Sequence, residues 1–256
     1  MTRREKLLAG IDLARMQGLE IGPLDRPLVE KGDGRRIKYQ DFSTAEELRE
    51  RFKDGNNAIP ANIVELDYVV REGSLLAAIS ERFDYVIASH VFEHVPNPVR
   101  WLREMSELLN PGGVLSLAIP DRRFCFDVLR PATSIGEMLE AYFSHRTKPS
   151  FKNVFDQRYY RRPIDAANVA KLWGGMDPWT LKRKRTDSMP MLQRALNNME
   201  AGVYDDCHSN LLTAEEFRRF IVALKEFDLI PALDLVSLIE CEPNDLEFFV
   251  QMRKAP

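Results

Sequence analysis

The sequence predicts an open, doubly wound α/β sheet whose strands are mostly parallel. Three observations carry this: short apolar segments alternate with helix signals through the first half, several of those segments end on an acid or a glycine, and one amphipathic helix links two largely apolar strands. The chain of 256 residues is long enough to bury a full core, and 45% hydrophobic against 29% charged residues is a globular balance.

Residues 19–21 (Leu-Glu-Ile) form a first strand running into Gly22-Pro23, and residues 37–41 form a second that ends on Asp41. Ser43 with Glu46 and Thr44 with Glu47 then offer two overlapping capping boxes for a helix with Leu48 and Phe52 inward. Residues 63–66 read as a third strand ending at Asp67, and residues 83–88 (Phe-Asp-Tyr-Val-Ile-Ala) as a fourth, apolar enough to be covered on both faces. Asn97-Pro98 opens a helix with Trp101, Leu102, Met105, Leu108 and Leu109 on one stripe, stopped by Pro111-Gly112-Gly113. Residues 114–119 are the fifth strand, closed by Pro120-Asp121, so the helix between them is a crossover that requires parallel pairing.

Residues 122–210 lose this rhythm and are rich in aromatics and prolines, which suggests an insertion folding over the ligand edge. Thr213 and Glu216 cap a further helix with Phe217, Phe220, Ile221 and Leu224 inward; residues 233–239 and 247–252 close the sheet as an antiparallel pair. The expected division is thus a core over 1–121, a cap over 122–210 and completion of the core over 211–256.

A net charge of −3 gives no general attraction to nucleic acid, and the basic run from Lys182 to Arg185 reads as a solvated face. Cys125, Cys207 and Cys241 lack metal or disulfide spacing, which fits a reducing cytoplasm. No window has the apolar length of a membrane span, and no signal peptide is expected.

In such sheets a ligand lies beyond the carboxyl ends of the strands, so the strand-end residues should face it. Gly22 permits close approach across the turn, and Asp41 follows Glu20 by 21 positions, the separation at which a carboxylate meets ribose hydroxyls. Pro23 removes one amide and the later glycines of a dinucleotide turn are missing, so a ligand without phosphate fits better than a nicotinamide dinucleotide.

The stretches around Gly22, from Phe83 to Pro96, and from Leu109 to Asp121 resemble class I methyltransferases that use S-adenosylmethionine, most nearly the branch grouped as type 11. The resemblance is firm from Gly18 to Asp127. It implies a seven-stranded Rossmann-like sheet with an antiparallel last strand. It also implies roles: Glu20, Gly22 and the Pro23 turn at the methionine part of the cofactor, Asp41 at the ribose, Asp67 with Leu66 at the adenine edge, and Ser89 and His90 beneath the sulfonium. Leu24 and Asp25 stand where the family has glycines. The segment from Phe124 to Pro131 is similar to one in bacterial members that accompany sugar and polysaccharide assembly genes.

Methyl transfer to a hydroxyl needs alignment and a proton acceptor, and His90, His94 and His208 are the candidate bases among four histidines. No metal is expected, although Asp121, Asp205 and Asp206 are an acidic set that could collect a divalent cation. The expected activity is O-methylation of a saccharide or related small metabolite. N-methylation, a non-catalytic partner module and a nicotinamide oxidoreductase are the alternatives. The expected partner is a small molecule or glycan, and the oligomeric state stays open, a homodimer included.

Overall fold

The computed structural model describes every residue except 56, 57, 72 and 183–187, and at 188 only the backbone. Most of the basic run, residues 183–185, therefore lies outside the described residues. Seven strands form one sheet: β1 (Gln17–Ile21), β2 (Arg36–Asp41), β3 (Tyr68–Val69), β4 (Phe83–Ser89), β5 (Leu109–Pro120), β6 (Leu233–Ile239) and β7 (Glu247–Lys254). Their order is β3-β2-β1-β4-β5-β7-β6, the expected doubly wound, Rossmann-like arrangement. All neighbours are parallel except β7, which runs antiparallel to both β5 and β6.

Helices cover both faces: α1 (Arg3–Leu7), α2 (Ala45–Arg51), α3 (Leu75–Ala78), α4 (Pro98–Leu108) and α9 (Ala214–Glu226) on the sheet-forming parts, and α5 (Ile135–Phe143), α6 (Phe151–Tyr160), α7 (Ala166–Trp173) and α8 (Ser188–Glu200) between β5 and β6. Of the two boxes before α2, the structure uses Thr44 with Glu47. Asn97 caps α4 through the Arg100 amide with Pro98 in the first turn, and Thr213 with Glu216 caps α9. Trp101, Leu102, Met105 and Leu108 of α4 and Phe217, Phe220, Ile221 and Leu224 of α9 are buried in one core against β4, β5 and β7. Leu109 belongs to β5 rather than to the helix stripe, because Pro111-Gly112-Gly113 is absorbed as an irregularity at the start of that strand.

The third strand corrects the sequence reading. Residues 63–66 are not a strand; Ile63 and Leu66 pack instead against Leu48 of α2, and pairing begins only at Tyr68, opposite Gln40. Pairing at Tyr68 lets the Asp67 carboxylate accept the Tyr39 amide at 2.8 Å, closing the edge ladder with a side chain.

No helix follows β1, although a parallel connection usually has one. Residues 22–35 return to β2 as an irregular segment, and the buried Glu20 carboxylate holds it by accepting the Leu28 and Val29 amides at 2.7 and 3.1 Å. Tyr39 donates its hydroxyl to the Val29 carbonyl at 2.6 Å, and Arg4 donates to the Leu28 carbonyl. Gly18 opens the space beside this segment, since a Cβ there would overlap the ring of Tyr85.

Burial pushes the Glu20 carboxyl from 4.5 up to about 7, against the pull of the two amides. The folded protein thus holds this proton more tightly than the unfolded chain does. The stability Glu20 contributes is complete below pH 4.5 and is lost as the pH rises through about 7. Urea midpoints should therefore fall over that interval in the wild type and fall less in Glu20→Gln. Glu20→Ala, which strands two buried amides, should cost about 1–3 kcal/mol in the same measurement. Equal slopes for wild type and Glu20→Gln would remove the carboxylate from this role.

Candidate active site

The carboxyl ends of β1, β2 and β4 bring Gly22, Asp41 and His90 to one rim. The Gly22 amide donates to the carbonyl of Gln40, the neighbour of Asp41, at 2.9 Å. Gly22 has φ +66°, and a Cβ on it would come within 2.9 Å of Cγ2 of Val91, the neighbour of His90. Glycine is therefore required twice here, for the left-handed backbone and for the close approach.

Asp41 accepts the Phe42 and Ser43 amides through Oδ1 alone, at 2.7 and 3.3 Å, which leaves Oδ2 for a ligand. Burial raises its pKa above the usual carboxylate value against these two amides. Pro23 is buried in the turn, and Asp25 accepts the Ile59 amide at 2.9 Å. Arg26 is largely exposed and pairs with Asp25. Ser89 ends β4 and accepts from the Arg3 guanidinium, which also pairs with Glu247 at 2.7 Å.

Each rim histidine is backed by a carboxylate. His90, at φ +55°, shares a 2.8 Å hydrogen bond with Glu247 through Nε2 and lies 3.6 Å from Glu93 through Nδ1. His94 bonds Asp206 through Nδ1 at 2.9 Å. His208, 5% exposed, places Nδ1 2.6 Å from Asp127 Oδ2, close but off hydrogen-bond alignment. Burial alone would lower the His94 pKa, but Asp206 and Glu93 outweigh it and raise it. Burial would likewise raise Asp206; the bond to His94 and the charge of Arg51 instead hold it down at about 2.

The segment that carries Asp206 crosses this rim from the expected cap. Tyr204 stacks on Phe42 at 4.8 Å between ring centroids, and Arg51 of α2 reaches Asp206 at 3.2 Å. Arg158 of α6 holds the adjacent Asp205 at 2.6 Å. The rings of His94 and His208 meet edge to face at 4.7 Å, with Phe126 against His208 at 4.6 Å.

The structure does not bring every expected residue to this place. Leu66 and Asp67 stand below the rim: Asp67 lies opposite Tyr39, two residues before the end of β2, and its carboxylate is taken by Tyr39, Lys31 and Lys38. The end of β3 instead presents Val70, whose amide donates to the Asp41 carbonyl at 3.0 Å, and Arg71. Glu20 reaches the rim through the turn it holds, since both of its oxygens are occupied. Asp121, Asp205 and Asp206 do not act as a set, for they pair with Arg123, Arg158 and Arg51 respectively.

Glu93, Asp127 and Arg130 are among the buried charges that the sequence reading left without roles. Asp127 pairs with Arg130 at 2.9 Å, and Arg130 also donates to the His208 carbonyl at 3.0 Å. Their signal was position: Glu93 precedes His94, and Asp127 and Arg130 lie in the segment that follows β5.

Residues 6–220 match a family described as a methyltransferase domain. The chain belongs to that family. S-adenosylmethionine is the cofactor that this match and the sheet support. The chain is 38% identical over 72 residues to a protein of Cereibacter sphaeroides named ubiquinone biosynthesis O-methyltransferase, a match covering 24% of this chain and 29% of that protein. It is 41% identical over 51 residues to a protein of the same name from Ruegeria pomeroyi, covering 20% and 21%. The matches thus span less than a third of these relatives. A solved S-adenosylmethionine-dependent methyltransferase from Mesorhizobium loti aligns over 98% of both chains, with 13% identity and a TM-score of 0.46.

The donor set fits this cofactor. Pro23 offers no amide to a phosphate, Gly22 leaves room against Val91, and Asp41 keeps one oxygen free. No helix of the described residues is long and apolar enough to cross a membrane. Gly22→Ala puts an alanine in the left-handed region at a cost of about 1–2 kcal/mol, and a ligand-free turn that shifts to relieve this strain has to recover it on binding, a loss of roughly tenfold in affinity. Calorimetry with S-adenosylhomocysteine should show that loss; unchanged affinity would place the cofactor away from this turn.

Proposed function

We propose that this methyltransferase moves the methyl group of S-adenosylmethionine to a hydroxyl of a small molecule, with a saccharide as the preferred class. The observation that carries this reading is the meeting of Gly22, Asp41 and the carboxylate-backed histidines at one sheet edge, inside the span of the family match. The cofactor supplies a methyl carbon already activated by its sulfonium. Asp41 would hold the ribose hydroxyls, the Gly22-Pro23 turn kept by Glu20 the methionine part, Ser89 and His90 the floor under the sulfonium, and Val70 with Arg71 the adenine side.

His94 is the group that the acceptor hydroxyl meets. Asp206 accepts the hydrogen bond from its Nδ1–H, which leaves the lone pair on Nε2 to draw on the hydroxyl's proton. His208 stands behind it with Asp127. Residues 122–210 serve as the cap that selects the acceptor and keeps water out, with Tyr204 and Asp206 closing on the core at Phe42 and His94. Oxygen as the acceptor atom is supported by relatives named O-methyltransferases. A saccharide is supported by the segment after β5 that resembles sugar-associated members.

Transfer of labelled methyl to a panel of sugars, glycans and phenols tests the reading, and cofactor binding with no product anywhere on that panel would leave only a binding module. Asp41→Ala should weaken S-adenosylhomocysteine by about 1–3 kcal/mol. His94→Gln should leave that affinity in place and lower kcat by about a hundredfold or more. A His94→Gln enzyme with normal kcat would remove His94 from the reaction.

A further inference from the structure

Glu93 is an anomalous charge. It is 1% exposed, and neither carboxylate oxygen has a hydrogen-bond partner among the described residues. Its nearest cationic neighbour is His90, whose Nδ1 lies 3.6 Å away and already shares the imidazole with Glu247. A buried carboxylate left in this state is costly, and proteins relieve the cost by pairing the charge or by coordinating a metal.

The groups in front of Glu93 are metal ligands. One oxygen of Glu93 and one ring nitrogen each of His94 and His208 lie within 4.8 Å of one another. Asp206 and Asp127 stand at the Nδ1 atoms of the two imidazoles, the outer carboxylates that orient metal-bound histidines. Those carboxylates are themselves paired with Arg51 and Arg130, whereas Glu93 has only the 3.6 Å approach of His90 and no hydrogen bond to either oxygen. Three donors around an ion at about 2.1 Å stand some 3–4 Å apart, so the cluster needs to close by only about an ångström.

We propose that Glu93, His94 and His208 hold one divalent transition-metal ion. Two imidazoles and one carboxylate suit zinc, cobalt, iron or manganese better than magnesium or calcium, which prefer oxygen alone. Three protein ligands leave a position open, and the partly exposed edge of His94 puts that position towards the rim. The role of the ion deepens the proposed transfer to oxygen and rests on it; the binding itself does not. In the loaded protein the ion would act as a Lewis acid on an acceptor hydroxyl, the O–H electron pair staying on that oxygen and the proton passing out at the exposed side of the rim, and His94 would serve as a ligand. In the ion-free protein His94 receives the proton itself.

The test uses the full chain stripped with EDTA and titrated with zinc and, separately, cobalt. Calorimetry should show one zinc per chain, and cobalt should give visible absorption bands of a site with nitrogen and oxygen donors. Glu93→Gln should weaken zinc binding by about thirtyfold or more, a typical loss for a missing ligand or its support. The same variant should bind S-adenosylhomocysteine as the wild type does, which shows that it is folded. Should it fail to fold, His208→Gln and the wild-type cobalt spectrum decide in its place. Cys125→Ser should leave zinc binding intact, because Cys125 belongs to a neighbouring group with Asp127 and His208. Wild type that binds no zinc, zinc binding untouched by Glu93→Gln, or zinc binding lost only in Cys125→Ser would each overturn the site. S-adenosylhomocysteine binding without zinc binding would leave the methyltransferase reading standing, whereas zinc binding without S-adenosylhomocysteine binding would defeat that reading and spare the site.

Discussion

The rest of the structure depends on β4 lying parallel between β1 and β5. Because all three strands point the same way, their carboxyl ends share one edge, and the residues that follow each strand are delivered to one place. Fully buried side chains on both faces of β4 hold it there, with Phe83 and Val86 in one core and Tyr85 and Ile87 in the other. Gly18 is part of the same constraint, since the Tyr85 ring occupies the space its side chain would need.

On that edge the governing feature is electrostatic. Three imidazoles and the carboxylates Glu247, Asp206 and Asp127 form three short pairs around Glu93. Arginines from distant elements neutralise the outer carboxylates: Arg3 from α1 on Glu247, Arg51 from α2 on Asp206, and Arg130 from the segment after β5 on Asp127. The hydrogen bonds to Glu247 and Asp206 orient the rings of His90 and His94, and the bond at Nδ1 of His94 leaves its Nε2 for a proton or a cation. The segment after β5 and residues 205–208 are thus joined to the sheet edge through charges.

Much of this was legible in the residues. Capping boxes, the Asn97-Pro98 start and the apolar stripe of α4 are local signals, and they hold because a helix end must satisfy its own amides wherever it lies. The third strand was misread because residues 63–66 are apolar for a different reason: they pack on α2 and on the β1–β2 connection. With the strand displaced to Tyr68, Asp67 became an edge ligand of Tyr39 instead of a rim residue. Periodicity cannot separate a buried loop from a short strand.

The sequence by itself determined every strand but the third and the helices α2, α4 and α9, that β4 and β5 run parallel, and that Gly22 and Asp41 lie at strand ends, because these follow from local propensity and crossover geometry. Tertiary structure alone decided that Glu93 is buried without a partner, that Asp206 and Asp127 back His94 and His208, and that Glu20 stands in for a missing helix. Those relations join residues up to 112 positions apart, His94 and Asp206 among them, and a burial or a contact between such distant residues exists only once the chain has closed on itself.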